Sequence, residues 1–526
     1  MNKYINLLFI FIFLPVQVLY SQTTVRETGI IYLKSNLQYL ASDELEGRET
    51  ATRGAYLAGN FISVELEKYG IKPFGDNDTY FQSFNISVKN VTPESKLSFI
   101  NDDGTSKELL VGEDIFLSME NEPAEKYNDL KSDIVFAGYG ISANGYDYDD
   151  YREVDANGKV VLLISGNPSN KDESLFSNED EKKFSDRNYK YENAVNHGAV
   201  GIIYIPAGWI LKYWEFMKKR ALTPSVGLTE EKEGENKVES EAIPVVVLSK
   251  EAAIELLSDE KYSYEAMLTQ TEEGSIPEGF NLMKKVQFSY RINKEIKQAR
   301  NVVGIIEGTD AELKNEYIVL SAHYDHEGIV NDVIYNGADD DGSGTVAILE
   351  AARRFALLNA NDRSIVIAFH TGEEKGLLGS KYLTNNSNFM KGVIANINID
   401  MVGRESIDTI YSIGSNKLSS EMHELVEEVN SETVQFVFDY TFDDPNDPNR
   451  YYYRSDHYNY AKQNIPIVFF YDHMTEDYHK PTDDVDKINF EKIEKVSTLI
   501  TELAIRIANL DHRLIVDKLE EKVDTN

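Results

Sequence analysis

The second half of the chain alternates short apolar runs with helical patterns. The runs are rich in β-branched residues and cover Tyr317–Ala322, Ile365–Phe369, Val393–Ile399 and Ile465–Phe470. Apolar residues at helical spacing occupy Val346–Leu358, Met422–Val429 and Phe490–Leu510. Strands that alternate with helices form parallel sheets with helices on both faces. From Val302 onward we therefore predict a doubly wound α/β fold with a mostly parallel sheet covered by helices.

A second series of apolar runs precedes this one and predicts a smaller α/β unit at about residues 130–260. Its predicted strands are Ile134–Ala137, Val160–Ile164, Val200–Ile205 and Ile243–Leu248. Residues 31–73 have a helical pattern on either side of a loop at Ser42–Arg48, and residues 77–130 are mixed and strand-prone. A length of 526 residues is too large for one ordinary core and indicates two or three domains.

The first residues have the pattern of a secretory signal peptide. Lys3 precedes the apolar run Leu7–Leu14, and Ser21 is a small residue at a plausible cleavage point. We therefore predict export to the periplasm, the outer surface or the medium after cleavage. An uncleaved N-terminal membrane anchor is the alternative. No later apolar run approaches 18 residues, so no other stable membrane anchor is expected.

The charge of the chain bears on its partners. The 89 acidic residues outnumber the 53 basic ones, which gives a formal net charge of -36. Such a field repels phosphate backbones, so nucleic acid is excluded as a partner. A solvated acidic surface is the ordinary explanation of this charge. The chain has no cysteine, so disulfides and lipid anchors on cysteine are excluded as well.

Histidines and acids follow each strand predicted in the second half. The positions concerned are His323, Asp325 and His326, then His370, Glu373 and Glu374, then Asp400, and finally Asp472, His473 and His479. In open α/β sheets, ligands bind at the carboxyl ends of the strands. Imidazoles and carboxylates without thiolates suit zinc or a related divalent ion. The pattern therefore predicts a metal site at one edge of this sheet.

The loop Asn336–Gly344 supplies three further carboxylates, Asp339, Asp340 and Asp341, just before a predicted helix. A centre with two metals needs a carboxylate that bridges them, and the spacing alone leaves the choice among these three open. Glycine and serine in the loop allow a sharp turn into the helix. A calcium loop is the alternative, but the 12-residue EF-hand pattern is absent.

Five motifs together resemble the co-catalytic zinc exopeptidase family, which includes bacterial zinc aminopeptidases and glutamate carboxypeptidase-like enzymes. The motifs are His323–His326, Asn336–Gly344, Gly372–Ser380, Ile399–Arg404 and Tyr478–Asp484. Ala41–Arg48 resembles the N-terminal helical segment of the family. The middle segment resembles, more weakly, the protease-associated (PA) domain inserted in many members, mainly through Ile134–Gly140, Val195–Ile205 and Ile243–Lys250.

The resemblance implies a division of the chain into consecutive parts. They are a signal peptide at 1–21, an N-terminal helical part of the peptidase domain at 22–85, an inserted region at 86–297 with the PA-like domain at about 130–260, the catalytic domain at 298–512 and a charged tail at 513–526.

The resemblance also implies the ligands of two zinc ions, with other divalent metals as an alternative. Asp340 bridges both ions, His323 and Asp400 complete the site of one, and Glu374 and His479 complete the site of the other. A cis peptide bond between Asp340 and Asp341 belongs to the same pattern.

The remaining implied roles concern catalysis. Asp325 accepts the other N–H of the His323 imidazole. Glu373 is the general base for a water activated by the two ions. Tyr478 donates a hydrogen bond to the oxygen of the scissile carbonyl, unless it is a structural tyrosine. The resulting prediction is a metal-dependent exopeptidase that acts on peptides, most strongly an aminopeptidase.

Several alternatives remain open. A carboxypeptidase or dipeptidase has the same metal centre, and Arg404, Arg450 and Arg454 lie in loops near it. These arginines and the string Tyr451–Tyr453 either line the substrate pocket or pack structurally. A non-catalytic binding protein of the same fold is a further alternative. A glutaminyl-cyclase-like enzyme with one zinc is another, and the presence of Asp340 within a full ligand set argues against it.

Other histidines near the predicted site receive no catalytic role. They are His326, His370 and His473. Asp456 and His457, in the segment Arg454–His457, are predicted to brace the loop that faces the substrate rather than to bind metal. The sequence does not indicate an oligomeric state.

Overall fold

The computed structural model describes residues 29–92, 94–119, 123, 125–168, 175–229, 242–358, 360–404, 406–444 and 447–518. The signal peptide predicted at residues 1–21 lies outside these residues, and so do residues 519–526 of the predicted tail. Both stay predictions. Among the helices of the described residues, none is both long and apolar enough to cross a membrane.

The helices are, in chain order, α1 (residues 29–40), α2 (Arg53–Lys68), α3 (Asn178–Ser185), α4 (Arg187–Asn196), α5 (Trp209–Arg220), α6 (Lys250–Leu257), α7 (Tyr264–Glu272), α8 (Gly342–Leu358), α9 (Leu378–Asn386), α10 (Ser420–Glu432), α11 (His457–Ala461) and α12 (Phe490–Ala508). Short 3-10 turns cover Asp43–Arg48, Asp76–Asp78, Glu125–Tyr127, Asn144–Tyr146, Leu313–Asn315, Asn388–Gly392, Thr441–Asp443, Tyr451–Tyr453 and Val485–Lys487.

The strands are, in chain order, β1 (Lys72–Pro73), β2 (Phe81–Val91), β3 (Lys96–Ile100), β4 (Ser106–Leu110), β5 (Ile115–Leu117), β6 (Lys131–Phe136), β7 (Ser142–Ala143), β8 (Tyr148–Asp149), β9 (Val160–Ile164), β10 (Gly201–Ile205), β11 (Ser225–Leu228), β12 (Val245–Leu248), β13 (Phe280–Ser289), β14 (Ile292–Ile306), β15 (Tyr317–His323), β16 (Gly328–Val330), β17 (Val333–Tyr335), β18 (Ser364–His370), β19 (Val393–Ile399), β20 (Thr409–Ile413), β21 (Val437–Asp439) and β22 (Ile467–Tyr471).

The described residues form two compact units. The first contains the chain up to Ile86 and from Lys297 onward, and the second extends from Ser87 to Ile296. The first unit therefore contains all four strands whose ends carry the predicted metal ligands.

The sheet of the first unit includes the strand order β14–β18–β15–β19–β22–β20–β21. Its centre is parallel, since β15 pairs in parallel with β18 and β19, and β19 pairs in parallel with β22. Antiparallel pairs flank this centre, between β14 and β18 and between β20 and β22. The predicted fold class, with a mostly parallel sheet, is confirmed.

Both faces of the centre of this sheet are buried, which explains why β15, β18 and β22 are mostly apolar. Along β18, Ile365 and Ile367 belong to one core while Val366 and Ala368 belong to the other, because successive side chains point to opposite faces. Residues of α2, α8, α10 and α12 contribute to the first core, and residues of α9 and α11 contribute to the second. The carboxyl ends of the strands are left free of these layers.

Two predicted strands begin two residues later in the structure than in the sequence analysis. The run from Ile243 becomes a strand only at Val245, and the run from Ile465 only at Ile467. A proline precedes each of these starts, Pro244 and Pro466. Proline has no N–H to donate to a neighbouring strand, so it marks the boundary.

The second unit has a mixed sheet of its own, in the order β4–β3–β13–β6–β9–β10–β12–β5. The strands β6, β9, β10 and β12 run parallel to one another, and each corresponds to a predicted buried strand. Separate hydrophobic cores cover its two faces. The resemblance of this unit to a PA domain stays a prediction.

Candidate metal centre

The strand ends of the first unit bring the predicted ligands together. His323 is the last residue of β15 and lies beside His370, the last residue of the parallel strand β18. Asp400 directly follows β19, and Glu374 lies four residues beyond β18. The segment after β22 carries Tyr478 and His479 to the same edge. This arrangement follows from parallel pairing, since parallel strands end at the same edge of the sheet.

Asp340 lies between the two predicted histidine ligands. Its Oδ1 atom is 3.4 Å from Nε2 of His323, and its Oδ2 atom is 3.2 Å from Nε2 of His479. The two oxygens of one carboxylate thus face two different imidazoles. Asp340 is almost fully buried, with 3% of its surface exposed.

A second carboxylate stands beside each imidazole. Oδ1 of Asp400 is 3.6 Å from Nε2 of His323, and Oε2 of Glu374 is 3.1 Å from Nε2 of His479. All five predicted ligands therefore lie in one cluster, as two sets that share Asp340. By distance alone the ligand atoms also form the groups His323–Glu373–Asp400, His326–Asp340–Glu374 and Glu327–Glu374–His479, each within 4.8 Å.

The two neighbours of Asp340 are engaged elsewhere. The carboxylate of Asp341 accepts hydrogen bonds from the backbone N–H groups of His323 (3.2 Å), Gly344 (3.0 Å) and Met401 (3.0 Å). It thereby joins the ends of β15 and β19 to the first turn of α8. Oδ1 of Asp339 accepts from the N–H of Gly403 at 2.8 Å. Asp340 is the member of the triplet whose carboxylate faces the histidines.

The backbone of this loop is turned sharply. The peptide bond between Asp340 and Asp341 is cis, as the resemblance implied. Gly337 has a φ of +55°, and a Cβ atom there would lie 2.2 Å from the carbonyl oxygen of Asp340. Glycine is therefore required at this position, both for its conformation and for the close approach.

Asp325 lies beside His323, but it contacts the imidazole differently from the prediction. Nδ1 of His323 is 3.1 Å from the backbone carbonyl oxygen of Asp325 and 3.7 Å from its carboxylate. The carbonyl is thus the nearer acceptor. The carboxylate itself accepts from the hydroxyl of Thr50 at 2.7 Å and from the backbone N–H of Glu373 at 3.2 Å. Asp325 therefore also positions Glu373.

His326 and Glu327, which directly follow Asp325, contact predicted ligands although the sequence analysis gave them no role. Nδ1 of the buried His326 is 2.9 Å from Oε1 of Glu374. Oε1 of Glu327 is 3.5 Å from Nδ1 of His479. Their position directly after His323 and Asp325 is the signal that could have found them. His370, in contrast, turns away to the hydroxyl of Tyr460 at 3.1 Å.

In the segment Arg454–His457, where Asp456 and His457 are predicted to brace the loop that faces the substrate, the contact to a predicted ligand comes from Ser455. The hydroxyl of Ser455 donates to Oδ2 of Asp400 at 2.7 Å and accepts from the amide of Asn398 at 3.0 Å. Nε2 of His457 donates to the carbonyl oxygen of Tyr452 at 2.8 Å. Ser455 thus holds a predicted ligand, and His457 holds the 3-10 turn Tyr451–Tyr453.

The three arginines predicted near the site have different surroundings. Arg404 is buried and donates to Asp483 at 2.5 Å and to Asp477 at 3.4 Å, so it is a structural clamp and does not line the pocket. The guanidinium of Arg450 lies 4.7 Å from the centre of the Tyr453 ring. Arg454 is exposed and lines the pocket described next.

A pocket of about 360 Å³ opens at the carboxylate cluster. Its walls carry Asp340, Glu373, Glu374, Asp400 and His479, together with Met401, Tyr451, Arg454, Ser455, Phe469, Tyr471, Met474 and Tyr478. The ring of Tyr478 stacks on that of His479, with centroids 3.8 Å apart. Burial and the charges of Asp340 and Glu374 raise the pKa of Tyr478 above its ordinary value, so its hydroxyl stays protonated and can donate.

The charges in this cluster call for a cation. Burial raises the pKa of Glu373 well above its usual value, and the carboxylates of Glu374 and Asp400 add to this effect against the opposing charge of His323. Burial and Asp400 likewise raise the pKa of Asp341. Divalent cations would offset this repulsion, and a set of imidazole and carboxylate donors without thiolate suits zinc. The residues present therefore fit a zinc centre.

Comparison with known proteins agrees with this donor set. Residues 301–504 match the sequence pattern of peptidase family M28. This segment of the chain belongs to peptidase family M28. The matched segment contains every predicted metal ligand as well as Glu373 and Tyr478.

Individual relatives share about a third or less of their residues with the aligned part of this chain. A protein of Arthroderma benhamiae named "Probable leucine aminopeptidase" is 27% identical over 241 residues, which are 40% of this chain and 65% of that protein. A "Probable glutamate carboxypeptidase" of Zea mays is 31% identical over 121 residues, which are 22% of this chain and 16% of that protein. The aligned residues thus span less than two thirds of the length of these curated relatives.

A solved structure extends the likeness over most of the chain. An aminopeptidase from Aneurinibacillus sp. strain AM-1 aligns with 93% of this chain and 96% of its own, with a TM-score of 0.54 and 19% identity. This likeness concerns the fold.

Arg48 connects the N-terminal segment of the first unit to the loops that carry the predicted ligands. Its fully buried guanidinium donates to the carbonyl oxygens of Tyr324 (2.8 Å), Asn336 (2.6 Å) and Gly337 (2.9 Å), and also to that of Leu40. These carbonyls lie next to His323 and in the loop that leads to Asp340. The segment predicted as a loop at Ser42–Arg48 is a 3-10 turn in which Glu46 and Gly47 are left-handed, and this turn delivers Arg48.

Replacing Arg48 with methionine should destabilise the first unit. The change removes a donor from four carbonyl oxygens, of which that of Asn336 is part-buried and that of Gly337 still accepts the N–H of Gly342. Each buried acceptor left unpaired costs about 1–3 kcal/mol before relaxation. We expect a loss of about 3 kcal/mol or more in the free energy of unfolding, measured by denaturant titration. Arg53→Met is the matched control, since Arg53 forms an exposed ion pair with Glu46 at 2.9 Å. Its effect should stay below about 1 kcal/mol. Equal effects of the two changes would contradict the role of Arg48.

Proposed function

We propose that the protein is a metal-dependent aminopeptidase that uses two zinc ions. The observation that carries this proposal is the position of Asp340, whose two oxygens lie 3.4 Å and 3.2 Å from the Nε2 atoms of His323 and His479. One carboxylate shared by two imidazoles is what a bridged pair of metals requires. Asp400 would complete the site at His323, and Glu374 the site at His479.

The residues around this centre suit the hydrolysis of a peptide bond. Bound zinc would acidify a water and polarise the carbonyl of the substrate. Glu373 lines the pocket and is held through its backbone N–H by Asp325, so its carboxylate can take a proton from the attacking water and pass it to the leaving amine. Tyr478 keeps its hydroxyl proton and can donate a hydrogen bond to the carbonyl oxygen as negative charge develops there.

The acidic lining of the pocket favours an aminopeptidase. Glu373, Glu374, Asp340 and Asp400 all line the pocket. Of these four, Glu373 is not assigned to a zinc ion, so its carboxylate is open to a free α-ammonium group of the substrate. The relative from Arthroderma benhamiae is named a leucine aminopeptidase, which supports the same direction.

A carboxypeptidase or dipeptidase is the second candidate. The observation in its favour is Arg454, a cationic side chain in the same pocket that can pair with a terminal carboxylate. A binding protein without catalysis has less support, because each group needed for hydrolysis is present.

A panel of peptides tests both candidates. We expect cleavage of peptides with a free N-terminal amine, no cleavage of their N-acetylated counterparts, and loss of activity after treatment with a chelator. Zinc added back should restore the activity. Cleavage of only N-acetylated peptides would contradict the aminopeptidase proposal, and full activity after chelation, with zinc removal verified by metal analysis, would contradict the metal mechanism.

A further inference from the structure

The cationic side of the pocket points to the kind of residue that it accepts. We propose that Arg454 binds a carboxylate on the side chain of the first substrate residue, so that the enzyme favours peptides beginning with Glu or Asp. This inference rests on the proposed function and adds a substrate class to it.

Arg454 is held in place from two sides. Its guanidinium lies 5.2 Å from the centre of the Tyr451 ring. Tyr451 is itself fixed, because its backbone N–H donates to Asp447 at 2.9 Å and its ring packs 4.2 Å from that of Phe442. The next residue, Ser455, donates to the predicted ligand Asp400 at 2.7 Å. The backbone at Arg454 is therefore held next to the metal centre, and its exposed guanidinium lies beside the ring of Tyr451.

The guanidinium of Arg454 has no acidic partner among the residues that the structure describes. Within the described part of the chain, its guanidinium makes no hydrogen bond and no ion pair, although the chain carries an excess of 36 negative charges. Arg404, by contrast, is paired with Asp477 and Asp483. An arginine on a pocket wall that forms no ion pair with any described residue is available to a carboxylate of the substrate.

The carboxylates in the same pocket do not cancel this charge. Asp340, Glu374 and Asp400 face the imidazoles of His323 and His479, where the proposed zinc ions would neutralise them. Among the described residues that line the pocket, Arg454 is the one that carries a guanidinium or ammonium group. With the metals bound, the pocket therefore offers a positive charge on an otherwise aromatic wall of Tyr451, Tyr471 and Tyr478.

Two carboxylates of a peptide could pair with Arg454, and four peptides distinguish them. One is the side chain of an N-terminal Glu or Asp, and the other is the C-terminal carboxylate of a short peptide. The peptides Glu-Ala-amide and Gln-Ala-amide differ only in the side-chain charge. The peptides Ala-Ala and Ala-Ala-amide differ only in the charge at the C-terminus.

We expect the wild-type protein with bound zinc to cleave Glu-Ala-amide with a kcat/KM about 10- to 100-fold above that for Gln-Ala-amide, the range for a charged hydrogen bond. In Arg454→Gln this ratio should fall to about 1, and Arg454→Lys should restore part of it. Arg450→Gln is the matched control, since Arg450 is also unpaired among the described residues but stacks on Tyr453 outside the pocket wall. It should keep the wild-type ratio.

The other outcomes overturn the proposal. A wild-type ratio near 1, or a ratio that Arg454→Gln leaves unchanged, would exclude a role for Arg454 in selecting an acidic first residue. A preference for Ala-Ala over Ala-Ala-amide that depends on Arg454 would assign it to the C-terminal carboxylate instead. Failure of the wild-type protein to cleave any of the four peptides, including Gln-Ala-amide and Ala-Ala-amide, would instead count against the proposed function.

Discussion

Asp340→Asn is expected to abolish metal binding at both proposed sites and, with it, peptidase activity. The two oxygens of Asp340 each face a different imidazole, so this one side chain contributes to both sets of ligands. An amide has one acceptor oxygen and no charge, and it cannot bridge two cations as a carboxylate does. Metal analysis after dialysis should find much less than one zinc per chain, against two in the wild-type protein.

Asp325→Asn is the matched control for this change. Asp325 is as buried as Asp340, but its carboxylate bonds Thr50 and the backbone of Glu373, while the nearer acceptor of the His323 imidazole is a backbone carbonyl. We therefore expect Asp325→Asn to retain more zinc than Asp340→Asn, with a loss of affinity no greater than the about 10- to 100-fold typical of residues that support a metal ligand from outside. A greater loss of zinc in Asp325→Asn than in Asp340→Asn would contradict the bridging role.

Glu373→Gln is expected to retain zinc and to lose about 100- to 10,000-fold in kcat, the usual contribution of a general base. Glu373 lines the pocket, and by distance alone it also forms a possible ligand group with His323 and Asp400. The measurement must therefore combine steady-state kinetics with metal analysis. Unchanged metal content with lost turnover is the signature of a base, whereas loss of both is the signature of a ligand.

Its neighbour Glu374 provides the control. Oε2 of Glu374 lies 3.1 Å from His479, so Glu374→Gln should lose zinc from that site as well as activity. Peptide cleavage at the wild-type rate in Glu373→Gln would refute the proposed mechanism. Equal zinc loss in the two variants would show that the sequence pattern had assigned the roles of the adjacent glutamates wrongly.

Much of the fold could be predicted from the sequence because its strands are buried on both faces. A strand covered on both sides is mostly apolar, so the runs that become β9, β15, β18 and β19 stand out as segments rich in β-branched residues, although β19 also buries Asn396 and Asn398. The predicted starts of β12 and β22 were two residues too early, because Pro244 and Pro466 have no N–H to donate to a neighbouring strand. That rule was available in the sequence but was outweighed by hydropathy.

The arginines illustrate what local sequence could not decide. Arg404 and Arg454 both lie in loops near the strand ends, yet one is buried between acids and the other faces the pocket. The difference depends on Asp477 and Asp483, which pair with Arg404 from more than 70 positions away along the chain. Long-range partners of this kind leave no pattern next to the residue itself.

At the metal centre, too, some ligands could be predicted from the sequence and one could be explained only by the tertiary structure. The sequence by itself indicated that His323, Asp400 and His479 lie at one edge of a sheet. The reason is that the parallel strands of a doubly wound fold all end at the same edge. The choice of Asp340 within its triplet rested on resemblance, and only the tertiary structure supplied a physical reason. Asp339 and Asp341 accept backbone N–H groups from Gly403 and Met401, far along the chain. These contacts turn one oxygen of Asp339 and the carboxylate of Asp341 toward the segment after β19, whereas Asp340 faces the histidines.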